Sequence, residues 1–555
     1  MRRATKTAII VLAVTALPAI PAIGIGFEGI AEPSGTTGTA ETQSEGPIEH
    51  VANLKYAGGS DLEFVTKTVS VCAPDGTCQP EQRDYAIAGV LSQPAKVIDI
   101  TNPRTPVEVA TLPCAMNQND IQIWGNLVLQ SADSTSGSCR RPDGSKTTAT
   151  IGISDISDPR SPKLVGTLKE NRGAHNATVH PTQPIVYISD SDLANTDGNG
   201  AQIHIWDFTD PTKPVKVQSW SYFPQHSPHD ITFNAAGTRA YAASISHTDI
   251  INTENPKAPS LVSVIANEGI SISHQADPTP DGRFLLVADE LGGGSAPTLS
   301  PGGPVHIYDI SNELRPVKVG AFGNDATGAN GTSTSHVFRI NPDGTTAAIA
   351  WYNDGVHVVD WSGAYGLNAA GTGANSNVGP YVIASMKLAD ADTWSAKMWQ
   401  ERHPGFVFAN DMGRGFDVFY VPSLAPPVFA TGTIVGGSAA TYYGGTNALR
   451  TEIEGSCSAS PKTQGTDGWV EALPPGVSDG TYQVTADGKP IQGHPQAVDL
   501  DLYLYDASCK LLAADEDSGV SETADIPEGA KYVVVANFRA GPARISLSVA
   551  KAPAI

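Results

Sequence analysis

The sequence predicts an all-β chain, a seven-bladed β-propeller followed by a small jelly-roll-like β-sandwich, on three observations. A motif beginning at Asp155, D-I-S-D-P-R-S-P-K-L-V-G-T-L, recurs from Asp99, Asp207 and Asn252, and in more diverged form from Asp309, Asp360 and Tyr420. The copies lie about 45–60 residues apart, the period of a propeller blade. Glycine (55) and proline (41) are abundant, as many short strands joined by turns require, and the C-terminal segment alternates apolar and polar residues without the motif.

Taken in order, residues 1–31 read as an export signal: Arg2, Arg3 and Lys6 precede the apolar run Ala8–Ile20, and Ala22 or Ala31 offers a small-residue cleavage point. Pro18 and Pro21 break that run, so no membrane span is expected after signal removal. The G-x-G-x-x-G string at Gly24–Gly29 lacks the flanking strand and helix of a dinucleotide site. Residues 32–46, rich in Gly, Ser, Thr and Glu, are expected to be a flexible spacer. The propeller is expected over 47–433, a linker over 434–448 and the sandwich over 449–555.

Each motif copy reads as a strand end, a forced turn and an outer strand. The Asp or Asn side chain and the Pro-x-x-Pro segment stop the pairing, and a Val-rich run with charges resumes as an exposed edge. Ahead of it lie an inner strand and a hairpin, clearest in S-H-Q-A-D-P-T-P-D-G-R-F-L-L-V-A-D-E from Ser273 and S-H-V-F-R-I-N-P-D-G-T from Ser335. These Asp-Pro-x-x-Pro-Val-x-Val ends and P-D-G hairpins resemble the LVIVD-repeat proteins, secreted bacterial proteins similar to YVTN-type seven-bladed propellers. The resemblance implies the architecture and leaves activity open. Either Pro47–Leu54 or Pro427–Thr433 is expected to complete the last blade.

Six cysteines form three local pairs, Cys72 with Cys78, Cys114 with Cys139, and Cys457 with Cys509, read as disulfides of an exported, extracellular protein. The net charge of −22 argues against nucleic acid as a partner and is compatible with cationic ligands or metal ions. A monomer that meets a protein or small-molecule ligand on its propeller face is expected.

Histidines open the inner strand of four consecutive blades: His175, His229, His274 and His336. With Asp190, His247, Asp289, Glu290, Asp354 and Asp411 at the ends of the second strands, they would suit a divalent transition metal on the central channel. A histidine repeated at one blade position is also what a hydrogen-bonding strut would give, and on sequence alone the strut is the simpler account. His180 has the wrong parity to join His175, whereas His226 would join if Pro228 bends the loop inward. His204, His306 and His357 sit in third strands and read as packing or surface positions. Asp190, Asp192 and Asp197 lie in a Gly-rich acidic loop that offers oxygen ligands for calcium without EF-hand spacing.

In the C-terminal segment, A-V-D-L-D-L-Y-L-Y-D from Ala497 and D-G-W-V-E-A-L-P from Asp467 resemble the bacterial pre-peptidase C-terminal domain. That resemblance implies calcium near Asp499 and Asp501. No H-E-x-x-H, Walker or G-x-S-x-G motif occurs, so no catalytic residue is assigned. The expected function is an exported ligand- or protein-binding module. The alternative is a metal-dependent hydrolase or oxidoreductase using the histidine-rich face.

Overall fold

In the computed structural model, the described residues are 42–72, 78–190, 202–221, 227–267, 269–290, 303–323, 333–341, 345–362, 380–425, 428–434, 468–478, 480–490, 498–515, 519–537 and 543–551. They form an all-β protein, with seven antiparallel propeller sheets and two further four-stranded sheets.

The turn chemistry of the motif is visible atom by atom. Asp99, Asp155, Asp207, Asp309 and Asp360 each accept a hydrogen bond from the backbone N–H two residues on, as does Asn252. Three residues later Asn102, Asp158, Asp210, Asn255 and Asn312 repeat the same Asx turn. Two successive side-chain caps replace the ladder bonds that the prolines cannot make. The outer strand then returns with a bulge at the same place in successive blades, for example between Ile153 and Ser154 and between Ile205 and Trp206, which adds local twist.

The first blade is the largest. Its inner strand Gly59–Cys72 and second strand Cys78–Val90 form a long hairpin closed by the Cys72–Cys78 disulfide. The strands Gly137–Arg140 and Lys146–Ala149 extend the first blade's sheet. The Cys114–Cys139 disulfide ties that hairpin to the blade's outer strand Val107–Met116. Cys509 is disulfide-bonded, and Cys457 lies outside the described residues.

Ring closure is settled by pairing: Glu49–Lys55 lies antiparallel to Gly415–Tyr420 and completes the blade begun by Thr393–Met398. Val428–Ile434 pairs with Ala543–Lys551 of the C-terminal sheet, so the propeller strands end before it. The expected spacer also ends differently, because Gln43–Glu45 is a strand on Tyr381–Lys387. The two C-terminal sheets enclose Val484, Leu500, Leu502, Leu504, Val533, Val535, Ile545 and Leu547. Among the described residues, no helix is long and apolar enough to cross a membrane.

Candidate functional site

The inner strands set the chemistry of the channel. Residues two apart on a strand share a face. Asp61 and Glu63, Asp120 and Gln122, Asn176 and Thr178, Asp230 and Thr232, and Gln275 and Asp277 accordingly line one lumen with Arg339 and Lys397. Many of these side chains also bridge neighbouring blades, whose inner strands share no continuous ladder. Asp61 accepts the N–H of Ile121 (3.1 Å), Asp120 that of Ala177 (3.0 Å), and Gln275 both donates to and accepts from the Phe338 backbone. The Thr232 hydroxyl donates to Asp277 at 2.8 Å. One wall is an ion-pair network: Lys397 Nζ reaches Asp61 at 2.8 Å and Glu63 at 2.9 Å, and Arg339 also donates to Glu63. Burial opposes the charge on Glu63, yet Arg339 and Lys397 outweigh it and bring the carboxyl down from 4.5 to about 2.

At one end the four predicted histidines come together. Their rings follow one another around the channel mouth, with centroid separations of 3.8 Å for His175–His229, 4.7 Å for His229–His274 and 4.0 Å for His274–His336. His336 Nδ1 lies 2.6 Å from the Trp394 carbonyl, which only accepts, so Nδ1 carries the proton and Nε2 keeps its lone pair. Nδ1 of His229 and Nδ1 of His274 are buried without a hydrogen bond; the Asp230 carboxylate stands 3.3 Å and 3.7 Å from them, out of hydrogen-bond alignment.

Burial, then the three neighbouring imidazoles, push the His274 pKa well below its ordinary value, and burial lowers that of His336. Burial also opposes a proton on His175, but Asp133, 3.4 Å from its Nδ1, outweighs it and raises the pKa. Neutral imidazole is the metal-binding form.

His175, His229 and Asp230 offer ligand atoms that all lie within 4.8 Å of one another. Among the described residues this is the one cluster of three or more His, Cys, Asp or Glu side chains so arranged. A neck of about 10 Å³ opens beside it, lined by Asp61, Asp120, His175, Asp230, His274 and His336 among others, room for a single ion or water. Two imidazoles and a carboxylate, with more imidazole close by, suit borderline divalent transition metals.

Four of the carboxylates expected from the second-strand ends, Asp190, Asp289, Asp354 and Asp411, lie outside this cluster. Asp190 accepts the N–H of Gln202 and sits 3.1 Å from His204 Nε2. Asp289 accepts the N–H groups of Ser271 (2.8 Å) and Ile272 (3.1 Å), Asp354 pairs with His357 at 3.1 Å, and Asp411 takes the Asp392 N–H and the Thr393 hydroxyl. They act within their own blades, holding third strands and loop ends, and the second Asp289 oxygen is buried without a hydrogen bond. Tyr352 donates to Glu290 at 3.0 Å. His180 faces away from His175, bonding the Gly237 carbonyl at 2.8 Å. His226, Asp192 and Asp197 lie outside the described residues.

In the sandwich, Asp499 accepts the Gly519 N–H (2.9 Å) and Asp501 the Tyr503 hydroxyl (2.8 Å); among the described residues no third His, Cys, Asp or Glu completes a cluster there. Sequence reasoning missed Asp230 and Asp120. The period-two polar pattern of D-I-T-F and D-I-Q-I in the inner strands was the signal available.

No family model matches the chain, and no curated protein matches it. Solved structures similar to it are propellers. The Swd1 β-propeller domain from Myceliophteria thermophila is 13% identical at a TM-score of 0.43, covering 65% of this chain and 99% of that one. The periplasmic gluconolactonase PpgL of Pseudomonas aeruginosa is 10% identical at 0.41, covering 64% and 92%. A protein from Lactobacillus plantarum is 12% identical at 0.43, covering 63% and 89%. At these values the likeness bears on neither activity nor substrate.

Proposed function

We propose that the chain is an exported binding protein of the LVIVD-repeat kind whose channel mouth holds a divalent transition metal. His175, His229 and Asp230 are the ligands, and His274 and His336 complete the surrounding ring. One observation carries this reading: three ligand atoms converge within 4.8 Å, one of them on His229, whose buried Nδ1, like that of neighbouring His274, has no hydrogen bond. An unpaired buried polar group costs about 1–3 kcal/mol. The metal removes that cost and fixes a Lewis-acidic, ligand-accepting centre at the face where propeller loops gather. The reading of residues 1–31 as an export signal and the two local disulfides support an outward location. Elemental analysis of the mature protein purified without chelator tests it. The reading expects close to one transition-metal ion per chain and loss of the ion in His229→Ala at unchanged fold. A metal-free protein that also fails to take up zinc, nickel or copper on dialysis would refute it.

A further inference from the structure

Beyond the neck the channel widens into a chamber of about 260 Å³, and Asp61, Asp120, Asn176 and Asp230 line both spaces. Pockets for drug-sized ligands run about 300–1,000 Å³, so its occupant is small. The lining is unbalanced: Asp61, Glu63, Asp120, Asp230 and Asp277 face two bases, Lys397 and Arg339. Both bases are committed, Lys397 to Asp61 and Glu63 and Arg339 to Glu63.

Asp120 and Asp277 have no Lys or Arg within ion-pair distance among the described residues; a backbone N–H and a threonine hydroxyl are what they accept from. Burial raises the Asp277 carboxyl above the usual carboxylate range, a shift that a cation beside it would reverse. A lining with five acids against two bases disfavours an anion, and a neutral polyol brings no counter-charge. A primary ammonium brings one positive charge and three donors on a compact head.

We propose that the chamber binds a small primary amine, its ammonium group compensated by Asp120 and Asp277. This goes beyond the metal reading and does not need it, since in the metal-free protein both of those carboxyls are without a base at ion-pair distance among the described residues. The amine enters with its apolar end toward Val337, which is in phase with Arg339 and shares the lining.

The test is titration calorimetry on the full mature chain, metal-stripped and zinc-loaded, with n-butylamine as probe and butyrate and 1,4-butanediol as anionic and neutral controls. Saturable butylammonium binding to the stripped protein, at least tenfold tighter than either control, is the expected result. Asp277→Asn, which keeps the shape of the side chain, weakens it at least tenfold without shifting the thermal melting point, and Asp120→Asn does the same. No amine binding to the stripped protein, equal binding of butanediol, or wild-type affinity in both variants would overturn the proposal. Because the stripped protein is the reference, failure to bind zinc leaves this outcome readable and bears on the metal reading alone.

Discussion

The two sets of repeated histidines differ in what faces them. Third-strand His204 has Ser219 at 2.9 Å on one ring nitrogen and Asp190 at 3.1 Å on the other, and His357 meets Asp354 at 3.1 Å. His306 lies 3.9 Å from Asp289, with no hydrogen bond on either ring nitrogen. Inner-strand His229 and His274 are as deeply buried, yet their Nδ1 atoms have no hydrogen bond and their rings crowd one another. Repetition at one blade position therefore does not distinguish a strut from a ligand. The partner does: a carboxylate of the same blade marks architecture, and a neighbouring imidazole across a narrow neck marks a place for a cation.

That contrast can be broken at several points, starting with the most firmly strapped group. Lys397→Met leaves Asp61 and Glu63 buried with one base fewer, and denaturant unfolding is expected to show a loss of about 3–5 kcal/mol with unchanged metal content. The acid limb reports the same network more gently. Glu63 has a folded pKa of about 2 against an ordinary 4.5. Its contribution is therefore full above about 4.5 and disappears as the pH falls through about 2; Glu63→Gln is expected to flatten stability against pH across that window.

At a strut, His204→Ala deprives the buried Asp190 of a partner and is expected to cost about 1–3 kcal/mol, again without touching the metal. In the neck, His274→Leu removes a group with an unpaired Nδ1. In metal-free protein it is expected to change stability by less than about 1 kcal/mol, or to raise it. A loss as large as at His204 would make His274 a strut as well.

Much of the fold was legible because the repeat is local chemistry. The Asp and Asn residues that seed the motif cap backbone N–H groups two residues on, and the prolines forbid the alternative. Closure was not legible, since Glu49–Lys55 and Val428–Ile434 are both short strands at the propeller's ends and only pairing tells which joins the ring. At the site, the position of His175, His229, His274 and His336 at one strand end was readable from spacing. The turning of Asp190, Asp289 and Asp354 away from the channel was not, because it depends on partners brought in from other strands or loops. Asp230 was overlooked beside His229 because adjacent strand residues normally face opposite sides; at the strand's first residue that rule has not yet taken hold.

The most direct measurement of the central claim is zinc stoichiometry by equilibrium dialysis on three proteins side by side: wild type, the neck variant His229→Ala and the strut variant His204→Ala, each checked for fold by thermal melting. The account predicts about one zinc per chain in wild type and His204→Ala, and none bound tightly in a folded His229→Ala. Zinc retained by His229→Ala, or lost equally from both variants, would contradict it.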